Sequence, residues 1–334
     1  MPRRIHLVFL IALFLNAPFV AAQDAPSSIR IATWNLEWFY DHDTSDNKTD
    51  LSKKLSAPSQ TEWHWRVKVT AEAIAKLNPT ILALQEIENE KVLNDLRKEL
   101  RTKHDLEFQV AFIQGRDTYT EQDVGYLYRG ELVDLSRKSQ TKEMYDSKKY
   151  YNLSKHAFAT FRWQKGDKST SVTLLNVHLR ASERGADARS RQCQLIQHWI
   201  RPMLKEGQNI IVLGDINTSV PCGKTSPGSD AGVICNLASS LGQLVLFDLH
   251  AKIAAEDRAT HLTGRQFDRI FISKNLMFDS RQQFDPSFKS IENRKDLCVR
   301  NMPDKDHYDI YFKIPQEERD ISDHYPVVVT FDLK

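Results

Sequence analysis

The sequence predicts an α/β fold in which two sheets pack together beneath outer helices. Three observations in the 334-residue chain predict it. Strand-like runs are too numerous for one small sheet. Segments with apolar residues at helical spacing lie between several of them. Two pairs of strand-like runs follow one another with no helix between, which is the pattern of antiparallel hairpins.

The elements follow in order. "IRIATWNLEWF" (29–39) is an apolar, β-branched opening strand. Residues 40–61 are polar and read as a long loop. Its "DHDTSDNKTD" (41–50) is rich in oxygen donors but lacks calcium-loop spacing, so it reads as solvated. Residues 62–77 place Val67, Ala71, Ile74 and Leu77 on one helical face, and Asn78-Pro79 ends that helix. "TILALQEIE" (80–88) is a short buried strand, followed by a charged helix at 89–103. "EFQVAFI" (107–113) and "VGYLYR" (124–129) form the first hairpin pair; "HAFATFRW" (156–163) and "TSVTLLNVHL" (170–179) form the second. A helix spans 187–205. "NIIVLGDIN" (209–217), "VLFDLH" (245–250), "FDRIFIS" (267–273) and "PVVVTFD" (326–332) complete the strands. Residues 274–320 form a charge-rich insertion. No repeat, low-complexity tract or linker interrupts the pattern, so one domain is expected over 28–334, as a monomer.

Residues 1–22 stand apart. Arg3 and Arg4 precede an apolar run to Val20 and small residues to Ala22. The run is shorter than the roughly 20 residues of a membrane span and holds Pro18. A secretory signal peptide cleaved near Ala22 is expected, and with it a secreted or periplasmic protein. The leader carries two of the 46 basic residues and no acid, which leaves 44 basic against 44 acidic. Global charge therefore gives no footprint of nucleic-acid binding, and any basic surface must be local. Export permits disulfides. Cys222 and Cys235 bracket a Gly/Ser/Pro-rich loop that a disulfide would tie. Cys193 and Cys298 would then pair, or Cys193, in a helical stretch, is a buried free thiol.

Polar side chains stand where buried strands meet loops: Asn35 and Glu37, Glu86, His178, Asp215 and Asn217, Asp268, and Asp323 with His324. Alone, each has an ordinary explanation as a cap, a turn residue or a satisfied core histidine. Turn formation does not predict the whole set, and rigid strands aim such groups into a cleft. The chemistry is coherent. Glu86 and Asp323, with the Asn35 amide, suit a hard cation such as Mg2+ or Mn2+ and not a structural zinc. Asp215 would orient or deprotonate a water, and Asn217 would hold a phosphoryl oxygen. His178 and His324 would donate hydrogen bonds or protons, with Asp268 keeping His324 charged. Together these parts describe metal-assisted phosphoester hydrolysis.

"IATWNLEWF", "ILALQEIEN", "LLNVHLRAS", "VLGDINTS", "FDRIFIS" and "ISDHYPVVV" resemble, in order and across residues 31–329, the motifs of the endonuclease/exonuclease/phosphatase superfamily. The resemblance implies a four-layer αββα sandwich of two mixed, largely antiparallel sheets with the site between their edges. It implies metal ligation by Glu86, with Asn35 and Asp323 close by. It implies Asp215 and Asn217 at the phosphate, an Asp268–His324 pair, and His178 as the second histidine of the deoxyribonuclease-like members. "TYTEQDVGYLYR" (118–129) is similar to the deoxyribonuclease segment that flanks the site, with a one-residue change of spacing. That offers Tyr119 and Glu121 as partners of His178. Arg180, Arg184 and Arg189 are candidates to approach phosphates; the alternative is a solvated helix face.

The expected function is hydrolysis of DNA or RNA by a secreted endonuclease. Lipid or inositol phosphates are the alternative substrates, with Trp63 and Trp65 as a membrane-gripping tip or, instead, as core packing. A binding or effector protein that kept the fold and lost activity is the third reading. Asp-His-Tyr occurs twice, at 306–308 and 323–325. Only the second lies at the mouth of a core strand; the first reads as surface.

Overall fold

The computed structural model describes residues 26–218, 226–236, 244–278, 284–300 and 310–334. The first sheet contains β1 (Ser28–Phe39), β2 (Ile81–Ile87), β3 (Gln109–Phe112), β4 (Asp123–Tyr128), β11 (Pro286–Asn293) and β12 (Val327–Leu333), in the order β11-β12-β1-β2-β4-β3. The second contains β5 (Glu131–Ser136), β6 (His156–Lys165), β7 (Lys168–His178), β8 (Asn209–Asp215), β9 (Leu246–Asp248) and β10 (Asp268–Ser273), in the order β5-β6-β7-β8-β10-β9. Each sheet has one parallel pair, β1 with β2 and β7 with β8, and is otherwise antiparallel.

Strand alternation builds the layers. On β1, Ile29 and Ile31 face the inter-sheet core, whereas Ala32 and Trp34 face the helix layer. On β7, Leu174 faces inward and Leu175 outward; on β8, Ile211 and Val212 divide in the same way. Helices α2 (Gln60–Leu77) and α3 (Glu90–His104) cover the first sheet through Val67, Ile74, Leu93 and Leu96. Helix α5 (Ala186–Lys205) covers the second through Leu195, Ile196 and Trp199. The result is the expected αββα sandwich. Ser59 caps α2 and Asn89 caps α3 through side-chain oxygens.

Polar ties lock the two sheets together just below one end of the sandwich. Gln85 Nε2 donates to Asn176 Oδ1 at 2.7 Å, and Asn176 Nδ2 donates to the carbonyls of Leu84 and Gly125. The Asn176 backbone N–H donates to Tyr126 Oη at 3.0 Å. Buried and satisfied, this network fixes the register of β2 against β7.

Several expectations change. The 40–61 stretch contains a short helix, α1 (Asp50–Leu55), capped by Thr49. The edge strands β5 and β11 were not expected, because their sequences are polar and half exposed. Cys193, Cys235 and Cys298 are buried free thiols, and Cys222 lies outside the described residues. Cys193 lies on the buried face of α5 and Cys298 in the core beneath α2, on opposite outer faces, so they cannot pair. Trp63 is buried against Phe39 and donates to Asp95, and the Arg300 and Arg319 guanidiniums lie over Trp65. Neither forms a membrane-gripping tip. No helix among the described residues is long and apolar enough to cross a membrane. The expected leader, residues 1–22, and the Asp306-His307-Tyr308 copy lie outside the described residues.

Candidate active site

The strand ends deliver the polar residues to one end of the sandwich. Asn35 pairs in register with Gln85 across β1 and β2, His178 with Asp215 across β7 and β8, and Asp268 with Asp215 across β10 and β8. Simple alternation puts His178, Asp215 and Asp268 on the inward face, in line with Leu174, Ile211 and Ile270. Alternation would turn Glu86 towards the helix layer. A bulge between Gln85 and Ile87, with Glu86 at φ 58°, re-aims it into the site. A matching irregularity follows Asn35 on β1, where Glu37 and Trp38 both have φ 48°. The Arg66 guanidinium holds that kink by donating to the carbonyls of Leu36, Glu37 and Trp38. Gly214, just before Asp215, has φ 131°, and a Cβ there would lie 2.0 Å from the Val177 carbonyl oxygen. The glycine of "VLGDIN" is what lets β8 approach β7 closely enough to bring Asp215 beside His178.

Asn35 links the carboxylates. Its Nδ2 donates to Glu86 Oε1 and to Asp215 Oδ2, each at 3.0 Å, and its Oδ1 accepts from the Glu37 N–H at 2.9 Å. Asn217 clamps Asp215 from the other side: its backbone N–H reaches Oδ1 at 2.9 Å and its Nδ2 reaches Oδ2 at 3.0 Å. Asp215 Oδ2 also lies 3.5 Å from His178 Nε2 and 3.8 Å from His324 Nε2. On the far side, His324 Nδ1 meets Asp268 Oδ2 at 2.7 Å.

Sequence reasoning missed His261. Its backbone forms an isolated antiparallel bridge with His324, and the two rings stand 4.6 Å apart, edge to face. The Thr263 N–H donates to His261 Nδ1 at 3.0 Å, so the proton of the neutral ring sits on Nε2, which meets Asp323 Oδ2 at 3.2 Å. Asp323 is thus held between two imidazoles, and its N–H donates to Glu37 Oε2 at 3.1 Å. A lone histidine in the turn "ATHLTG" gave no periodic or motif signal; its meaning comes from a pairing 63 residues away.

The remaining expected residues divide. Arg180 is exposed beside His178 on the wall of the site's cavity. Glu121 does not partner His178. Its carboxylate accepts from the Lys48 N–H and from Ser52 Oγ, and so pins the loop before α1, because the spacing change turns it away from β7. Tyr119 is 71 % exposed. Arg189 is buried rather than phosphate-facing: it pairs with Asp230 at 2.8 Å and donates to the carbonyls of Arg180 and Ser182, shaping the loop that carries Arg180. Arg184 is exposed.

Electrostatics separate the two histidines. Burial pushes the His178 pKa well below its ordinary value, aided by Lys155 and by His324, so this ring is neutral. Burial opposes charge on His324 too, but the carboxylates of Asp268, Asp323 and Asp215 outweigh it and hold the ring protonated well above its ordinary pKa. Burial raises Asp215 to about 6, against the pull of His324. Burial, reinforced by Asp323, also raises Glu86.

The donor set fits a divalent cation. Glu86, His178 and Asp215 each offer a ligand atom, all within 4.8 Å of one another. His178 presents Nε2 to this cluster, 3.8 Å from Glu86 Oε1 and 3.5 Å from Asp215 Oδ2. Carboxylate oxygens beside one neutral imidazole suit Mg2+ or Mn2+. Of the expected ligands, Glu86 stands in this cluster. Asn35 turns its NH2 to the carboxylates and its oxygen to the Glu37 backbone. Asp323 belongs to the neighbouring group with His261 and His324, where a protonated His324 cannot ligate.

The model of the endonuclease/exonuclease/phosphatase family matches residues 30–332. No curated protein matches the chain by sequence. Among solved structures, TDP2 from Caenorhabditis elegans superposes with a TM-score of 0.54 at 15% identity, over 91% of this chain and 74% of that one. The human Nocturnin catalytic domain with bound sulfate gives 0.53 at 16%, over 93% and 97%. A family protein from Bacteroides thetaiotaomicron gives 0.55 at 16%, over 92% and 99%. At these identities the superpositions show a shared fold.

Proposed function

The chain belongs to the endonuclease/exonuclease/phosphatase family, and from that premise we propose that it is an exported phosphodiesterase, dependent on Mg2+ or Mn2+, that cleaves DNA or RNA as an endonuclease. The observation that carries this reading is the position of Asp215. One oxygen of it shares the Asn35 NH2 with Glu86 and lies within 4 Å of both imidazoles, so cation site, acceptor and donor meet at one point.

A bound divalent cation polarises a phosphoryl oxygen and offsets negative charge there. The chain's own groups supply the rest. Asp215, oriented by two hydrogen bonds from Asn217, takes a proton from the attacking water. His324, held cationic by Asp268, donates its Nε2–H to the phosphoryl oxygen on which charge develops. His178, neutral, orients the same group. Asn35 keeps the Glu86 and Asp215 carboxylates in fixed relation. Arg180 draws the adjoining phosphate to the rim. A structure of D. rerio TDP2 contains a single-stranded DNA product, which supports a nucleic-acid substrate for the shared fold. Plasmid DNA, RNA, sphingomyelin, inositol phosphates and a generic diester should separate the substrates. Turnover of a monoester with failure on every diester would overturn the nuclease reading.

The raised carboxylates give a pH-dependent test of cation binding. Glu86 and Asp215 hold protons in the folded state at pH values where the unfolded chain has lost them. Without metal, stability therefore falls as pH rises from the unfolded carboxylate range through the raised values, about 6 for Asp215. A bound cation offsets that cost only when both groups are ionised. Mg2+ should raise the Tm of chelator-treated protein more at about pH 8 than at about pH 5. An equal shift at both would show that the cation binds elsewhere.

A further inference from the structure

The active-site end opens into a cavity of about 870 Å³ that runs from Trp38, Glu86 and His178 to the segment between β5 and β6. Among the described residues, five large apolar side chains are exposed, and three of them, Tyr119, Tyr145 and Tyr151 (71, 61 and 40 % exposed), line this one cavity. Chance scattering over the surface would not gather them. Cations stand among the rings. Lys148 Nζ lies 4.4 Å from the Tyr145 ring centre and the Arg191 guanidinium 5.1 Å from that of Tyr151, and Arg116 and Arg180 share the same walls. The acids in the lining are Glu86, at the site itself, and Asp117, 3.4 Å from Lys155. The basic and acidic residues balance once the leader is set aside, so this concentration of positive charge is local.

We propose that this cavity is a binding groove for single-stranded nucleic acid, in which unpaired bases stack on Tyr119, Tyr145 and Tyr151 while Arg116, Lys148 and Arg180 take the backbone phosphates leading to the scissile one. The inference rests on the phosphodiesterase reading and names its preferred substrate. Cations alone would serve a duplex, a vesicle of anionic lipid or a polyphosphate equally. Exposed ring faces add energy only where base faces are free to stack, and in a duplex they are already stacked on each other. The segment between β5 and β6 is anchored for this use: Arg191 Nη1 donates to the Lys148 carbonyl at 3.2 Å, and the Tyr151 N–H reaches the Arg191 carbonyl at 3.4 Å, which ties the segment to α5.

The test is binding, by fluorescence anisotropy in chelator, of a labelled single-stranded oligonucleotide, its duplex, an abasic strand of equal length and anionic vesicles. The single strand should bind at least about tenfold tighter than the duplex and the abasic strand, and Tyr145→Ala and Tyr151→Ala should each weaken it about tenfold, with Tyr145→Phe close to wild type. Lys148→Ala should lower the slope of log affinity against log salt by about one. Equal affinity for the single strand and the duplex, or for the base-bearing and abasic strands, would overturn the proposal, as would binding of vesicles alone. Hydrolysis of a generic diester by the wild type, measured alongside, separates the two readings. Turnover without single-strand preference removes the groove and keeps the site; single-strand preference without turnover does the reverse.

Discussion

Asp215→Ala is expected to lower kcat by about 10³-fold or more, with stability within about 1–2 kcal/mol of wild type. The rate loss follows from position. Among the described residues, Asp215 is the one acidic group within 4 Å of both the His178 and His324 imidazoles, and its removal takes away the acceptor for the water proton. The stability argument counts partners. Asn35 Nδ2 keeps Glu86, and Asn217 Nδ2 keeps the Leu179 carbonyl at 3.2 Å. The Asn217 backbone N–H loses its acceptor, while the chain is relieved of a fully buried carboxylate. The check is steady-state kinetics on a diester beside a urea unfolding curve. Activity near wild type in a folded variant would remove Asp215 from the chemistry.

The second large effect is His324→Ala. It should cost about 10²–10⁴-fold in kcat through loss of the cationic donor. Unlike Asp215→Ala, it should also destabilise, by about 3–5 kcal/mol, because Asp268 is fully buried and would lose its charge partner. The pH dependence has a definite sign. The folded pKa of His324 is raised, so its contribution is fully present below the ordinary value of 6.5 and fades as pH climbs through the raised value. The stability gap between wild type and variant should therefore narrow in alkali. Adding Asp268→Asn should recover stability and not rate. Because Asp215 and His324 act on one transition state, the double variant should be little slower than the worse single one. His307→Ala, in the other Asp-His-Tyr copy, is expected to keep activity.

Much of this site is legible in the sequence because strand ends are. A buried run that ends on His178 or Asp215, begins on Asp268 or kinks after Asn35 places that side chain by simple alternation, and neighbours in register bring them together. Glu86 is legible as a strand-end carboxylate, but its aim depends on a bulge with positive φ at a non-glycine residue, which alternation contradicts. His261 was invisible because only a long-range bridge gives it a partner. Arg189 reads from sequence as a phosphate contact or a solvated cation on a helix face, and it is neither, because it is buried against Asp230, far along the chain. Glu121 shows the limit of motif matching, since one residue of spacing decides whether a carboxylate faces the site or the α1 loop. The Cys193–Cys298 pairing rested on elimination and compartment, and neither reports which outer layer a cysteine joins.

The most direct test of the central claim is hydrolysis of a labelled oligonucleotide by purified wild-type protein, with Mg2+ and with chelator, beside Asp215→Ala. The account predicts internal cleavage with Mg2+, none in chelator, recovery when the cation is restored, and none above background in the variant. Cleavage that persists in chelator or in Asp215→Ala, or no turnover of any phosphodiester with Mg2+ or Mn2+, would contradict it.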